Sequence, residues 1–143
     1  MKTEFVSYEL ALKMKQLGFD EPCMAAFEDN GKLFIYWNDL ASKDELFCSQ
    51  KACEKLDYEC LVPTWQQAFR WFRENHNLRG FIGFRPNIKQ FDCHIYDMSL
   101  SGKEYVKQRT MEEFNKDPKV GTYEEAELAC LEKLIEIVEN KSE

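Results

Sequence analysis

Glycine is scarce, with six in 143 residues. None sits in G-x-x-x-x-G-K-[ST] or G-x-G-x-x-G, so no phosphate-cradling loop is expected. H-E-x-x-H and G-x-S-x-G are also missing, which removes the usual signals of a zinc protease or a serine hydrolase. No apolar run approaches the ~18 residues of a membrane span. The start, Met1-Lys2-Thr3-Glu4-Phe5, lacks the apolar stretch of a secretory signal. A cytoplasmic protein is therefore the expectation, with no membrane among its partners. The six cysteines (Cys23, Cys48, Cys53, Cys60, Cys93, Cys130) form no C-x-x-C pair and read as reduced thiols. Cys48, Cys53 and Cys60 follow a C-x4-C-x6-C spacing without the close ligand pairs of structural zinc. No metal or other cofactor is expected. Positive charge is also short, with 19 Lys and Arg against 26 Asp and Glu, a net charge of −7 and a pI near 5.0. That disfavours a generally basic nucleic-acid coat but leaves room for a local basic patch.

What is present is enough for one domain, 1–143, with a core of its own. The hydrophobic fraction is 44% and aromatics reach 14%, so the core should be rich in rings. One five-residue phrase occurs three times: Ser7-Tyr8-Glu9-Leu10-Ala11, Thr64-Trp65-Gln66-Gln67-Ala68 and Thr122-Tyr123-Glu124-Glu125-Ala126. It reads as a helix start. The hydroxyl accepts from a free N–H in the first turn, and Gln67 or Glu125 can reach back to the cap's own N–H. The aromatic and the Ala, three apart, share a face, so the three helices should dock in similar ways. Convergent capping accounts for the repeat better than duplication does.

The spacing predicts helices from Ser7 to Leu17 (stopped by Gly18), from Thr64 to about Asn77 and from Thr122 to about Asn140. The last carries Tyr123, Ala126, Cys130, Leu134, Ile137 and Val138 with helical spacing, and Leu128, Leu131 and Ile135 widen the stripe to about half the cylinder. Met24–Glu28 and Leu33–Trp37 flank the turn Asp29-Asn30-Gly31 and read as a hairpin. Phe81–Phe84 leads through Pro86-Asn87 to Phe91–Met98. There Phe91, Cys93 and Ile95 should share one face, and Asp92, His94 and Tyr96 the other, with Asp97 out of place on the apolar side. Glu104–Lys107 reads as a short strand and Asn115–Gly121 as a loop. Asn38–Val62 is the least legible stretch, with a short helix near Glu45–Leu56 and then an extended lead-in. These elements predict an α+β fold: a single antiparallel sheet built from hairpins and packed with three main helices, an α-β-α sandwich being one arrangement.

Charge is distributed unevenly. Thr64–Gln90 holds Arg70, Arg73, Arg79, Arg85 and Lys89 against Glu74 alone, a local +4 that leaves −11 for the rest. With Trp65, Ala68, Phe69 and Phe72 turned inward, Arg70 and Arg73 lie away from that face, and Trp71 lies off it on the flank opposite Arg73. Arg70, Trp71, Arg73, Arg79 and Arg85 form the candidate binding patch. Arg and Trp suit a protein–protein hot spot, and also suit stacking on bases beside phosphates. The competing reading is that the arginines pair with acids of their own fold while Trp71 packs inside. Cysteine catalysis finds no support in the pattern, because Cys93 and His94 are strand neighbours and point to opposite faces.

The blocks TWQQAFRWFRENHNL (Thr64–Leu78), TYEEAELACLEKLIEIV (Thr122–Val138) and EFVSYELALKMKQLGFDEPC (Glu4–Cys23) together resemble a family of small proteins from phages, prophages and mobile elements of gut bacteria. The chain is more faintly similar to α-β-α sandwich domains of phage proteins. The resemblance implies a mobile-element origin and a bacterial host cell. It assigns no activity and carries no functional residue over. The expected function is that of a non-catalytic accessory protein binding a host or phage protein. Nucleic-acid binding through the same patch is the alternative, and a cysteine- or metal-dependent enzyme comes third.

Overall fold

The computed structural model describes residues 4–35, 49–55, 57–87, 89–99 and 122–142. The predicted Glu104–Lys107 strand, the Asn115–Gly121 loop, Trp37 and Cys48 lie outside them. The described residues form four helices and five strands: α1 (Tyr8–Gln16), β1 (Ala25–Phe27), β2 (Leu33–Ile35), α2 (Gln50–Lys55), β3 (Cys60–Val62), α3 (Trp65–His76), β4 (Leu78–Arg85), β5 (Gln90–Asp97) and α4 (Tyr123–Lys141). The fold is α+β. The expected single sheet is instead two, a three-stranded β2-β1-β3 and a two-stranded β4-β5. The lead-in after α2 proved to be β3, and a strand of three residues is too short to show a period. The chain divides into two compact units, Met1–Ala68 and Phe69–Glu143.

In the first unit β1 pairs antiparallel with both neighbours, Ala25↔Ile35 and Phe27↔Leu33 on one side, Ala25↔Val62 and Phe27↔Cys60 on the other. Gly31 takes φ +77°, and the Asn30 side chain accepts the Lys32 N–H at 2.9 Å, which closes the β1–β2 turn. Helix α1 covers β3, and Phe5, Ala11, Ala25, Phe27, Cys60 and Val62 make a continuous core. Ser7 accepts the Leu10 N–H at 3.4 Å, and Gly18 at φ +94° ends the helix. Thr64 accepts the Gln67 N–H at 3.2 Å, but the Gln67 amide does not close a capping box. It donates to the Pro22 carbonyl (3.0 Å) and to Glu21 (3.4 Å), tying the chain before β1 to the first turn of α3.

In the second unit β4 and β5 form an eight-residue antiparallel ribbon, from Leu78↔Asp97 to Arg85↔Gln90. Helix α4 packs on both strands and runs along β5 in the same direction. Tyr123 meets Phe91 at one end, and Lys141 reaches Asp97 (2.8 Å) at the other. Asp97, out of place in the strand pattern, therefore has its partner on the helix. Ala126, Cys130, Leu131, Leu134, Ile135 and Val138 are buried, whereas Tyr123 and Leu128 are exposed and Ile137 is half-buried, so the buried stripe is narrower than predicted. A Cβ on Gly80 would stand 2.9 Å from Cys130 Sγ and 3.0 Å from Leu134, so the strand approaches the helix too closely for any side chain there.

The repeated phrase shares one feature in all three copies and a second in the first and third. Ala11, Ala68 and Ala126 are all buried at the fourth helical position. Tyr8 meets Phe27 edge-on (5.2 Å, 79°) and Tyr123 meets Phe91 in the same way (5.7 Å, 90°). In α1 and α4 the small Ala lets the first turn approach the sheet while the tyrosine ring packs against a strand phenylalanine.

Leu134→Ala should cost about 2–5 kcal/mol in urea or guanidinium unfolding, because the leucine is fully buried between α4 and β4. A change within about 0.5 kcal/mol would place it on the surface instead.

Candidate functional site

The ribbon has two faces of opposite character because side chains alternate along a strand. Gly80, Ile82, Cys93 and Ile95 face α4. Arg79, Phe81, Gly83 and Arg85 of β4, with Gln90, Asp92, His94 and Tyr96 of β5, share the other face. The alternation read from Phe91 to Tyr96 is as expected, and it places Cys93 and His94 on opposite sides.

On the outer face, Phe81 stacks with His94 (4.9 Å, 15°) and with Tyr96 (5.5 Å, 9°). The Arg79 guanidinium lies 6.0 Å from the Phe81 ring centre, at the outer limit of a cation–π contact. Beside this column, Asp92 is only 3% exposed. A buried carboxylate needs partners. Arg85 Nε donates to Oδ2 at 2.8 Å, and His94 Nε2 lies 3.0 Å from Oδ1. His94 Nδ1 is buried with no hydrogen-bond partner among the described residues. Gly83 makes room for this cluster, since a Cβ there would come within 2.6 Å of Asp92 Oδ1. The Asp92–His94–Arg85 group was missed at the sequence level. A glycine directly across the ladder from an aspartate is the one signal that points to it.

The five expected patch residues do not form one surface. Trp71 is 4% exposed and packs edge-on against Phe72 (5.0 Å) and His76 (4.7 Å). That corrects its expected place in an exposed patch. Ala68, Trp71 and Phe72 make the buried stripe of α3, because residues three and four apart share a helix face. Trp65 and Phe69, expected inside, are half-buried. Arg70 and Arg73 are exposed on α3. Arg79 and Arg85 share the outer ribbon face, but six residues of strand separate them by about 20 Å. Arg85 is matched by Asp92, as the competing reading had it for the arginines, while Arg73 and Arg79 have no carboxylate partner among the described residues. No grouping of three or more His, Cys, Asp or Glu with metal-site geometry occurs among the described residues. No helix among them is long and apolar enough to cross a membrane. The five described thiols are buried, and burial, then Cys53, pushes the Cys60 thiol up to about 12, far from the thiolate a nucleophile needs.

Two titrating groups brace the unit behind this face. Burial, then the charge of Lys141, lowers His76 below its ordinary 6.5. At Asp97, burial pushes the carboxyl up, but hydrogen bonds from Lys141 and Ser99 outweigh it and hold the group below 3.8. Comparison with protein-family models, with curated proteins and with solved structures finds no match.

Both folded values lie below the unfolded ones, so each group adds stability that is lost as pH falls. The urea midpoint should decline below about pH 6.5 through His76 and again below about pH 4 through Asp97. Asp97→Asn should remove the lower step and leave the upper. Gly83→Ala should destabilise clearly more than Phe84→Ala, since only the first forces the Asp92 carboxylate aside.

Proposed function

We propose that the protein is a non-catalytic accessory protein that binds a protein partner through the outer face of the β4–β5 ribbon, with Arg79, Phe81, His94 and Tyr96 at its centre. The single observation that carries this reading is the ring column itself: Phe81 is 39% exposed and stacks with both His94 and Tyr96, with the Arg79 guanidinium 6.0 Å from its ring centre. This column offers a partly exposed ring together with an arginine that has no carboxylate partner among the described residues. Aromatic surface beside an arginine suits the centre of a protein interface. The pairing of Arg85 with Asp92 and the burial of Trp71 count against the nucleic-acid alternative, because both remove groups that phosphates and bases would use. A partner that places carboxylates against Arg79 and apolar side chains against the rings fits this face. An origin in a phage or mobile element, with the partner in the bacterial host or the phage, remains part of the proposal.

The test is affinity capture from a gut-bacterial lysate with wild-type, Phe81→Ser and Arg79→Glu proteins, read by quantitative mass spectrometry. A protein retained by the wild type and lost from both variants is the expected result. Its binding should change only modestly with added salt, unlike phosphate contacts. Capture that both substitutions leave unchanged would move the binding function off this face. Tight, salt-sensitive binding of a labelled single-stranded oligonucleotide would favour the nucleic-acid alternative.

A further inference from the structure

A second surface lies at the turn end of the same unit. Phe84 is 54% exposed and Tyr123 is 45% exposed, and Phe91 links them, 4.9 Å from Phe84 and 5.7 Å from Tyr123. Two exposed rings joined through a half-buried third are more than scattered surface hydrophobes. They are on the α4 side of the ribbon, whereas Phe81 and Arg79 are on the other, so this surface stands independently of the proposed function. Its charge is two-sided. The turn contributes the exposed Lys89, and the first turns of α4 contribute Glu124, Glu125 and Glu127. Burial, then the Glu127 and Glu124 carboxylates, raises the Tyr123 hydroxyl.

A partner for this surface needs apolar groups at its centre, acids opposite the turn and bases opposite the helix start. A uniformly acidic or basic partner meets repulsion on one side. The same surface, rotated by a two-fold axis running between its basic and acidic halves, supplies that arrangement. An isologous contact places each patch on its own copy. We propose that a second copy of this chain occupies the surface, with Phe84 and Tyr123 packed across the axis and the Lys89 side of each copy against the Glu124 side of the other.

The experiment is sedimentation velocity on the full chain from micromolar to submillimolar concentration. Wild type should show a reversible monomer–dimer equilibrium that weakens with salt. Phe84→Ser should weaken association by about tenfold or more, as loss of a central anchor does. Lys89→Glu should also weaken it, and Lys89→Glu combined with Glu124→Lys should recover it. Phe84 is largely exposed, so the variant should fold, which its circular dichroism checks. Arg79→Glu, on the other face, should leave the equilibrium unchanged. A wild type that is monomeric throughout, a dimer indifferent to Phe84→Ser, or a charge swap without recovery would each overturn the proposal.

Discussion

The close seating of α4 on the β4–β5 ribbon is the constraint from which the second unit's other features follow. A two-stranded ribbon alone is marginal in water, because it has one layer and two wet faces. Burial of Leu134, Cys130 and Ile135 against Gly80, Ile82 and Ile95 gives it a dry side. Gly80 is where the approach is closest, and the Lys141–Asp97 pair and the Tyr123–Phe91 contact set the helix along the strand from both ends. Once one face is committed to the helix, strand alternation dictates what the other presents. The stacked Phe81 column and the Asp92 cluster follow from that division.

The two faces handle charge differently. On the helix side, Lys141 at one end pairs with Asp97, and the acids of the first turn at the other are near water. On the outer side, a carboxylate is nearly fully buried in mid-strand and held by a guanidinium and an imidazole. Such a group is costly to bury and more so to leave unpaired, so its neighbours are fixed in place. Arg85 is thereby drawn out of the pool of cations available to a ligand. Arg79, two residues before the exposed Phe81, has no carboxylate partner among the described residues. Local charge counted along a sequence therefore overstates the charge a partner meets.

Much of the fold was legible. The three capped helices, the Asp29-Asn30-Gly31 hairpin and the alternation of β5 rest on interactions within a few residues of one another, and such interactions are written locally. The division into two sheets was not legible, because β3 is three residues long and its pairing with β1 joins segments more than thirty residues apart. The same holds for Gln67. Its spacing suits a capping box, yet a distant stretch around Glu21 and Pro22 competes successfully for the amide.

The sequence by itself determined where helices begin, which face of α4 and which side of β5 are apolar, and that cations gather between Thr64 and Gln90. Hydroxyl caps, periodicity and charge need no knowledge of the partner element. The tertiary structure alone decided that Trp71 goes inside, that Arg85 is matched by Asp92 and that Phe81 stacks with His94 and Tyr96. Each depends on which side chain arrives opposite, and in a strand pair the register settles that: Gly83 across from Asp92, Phe81 across from His94.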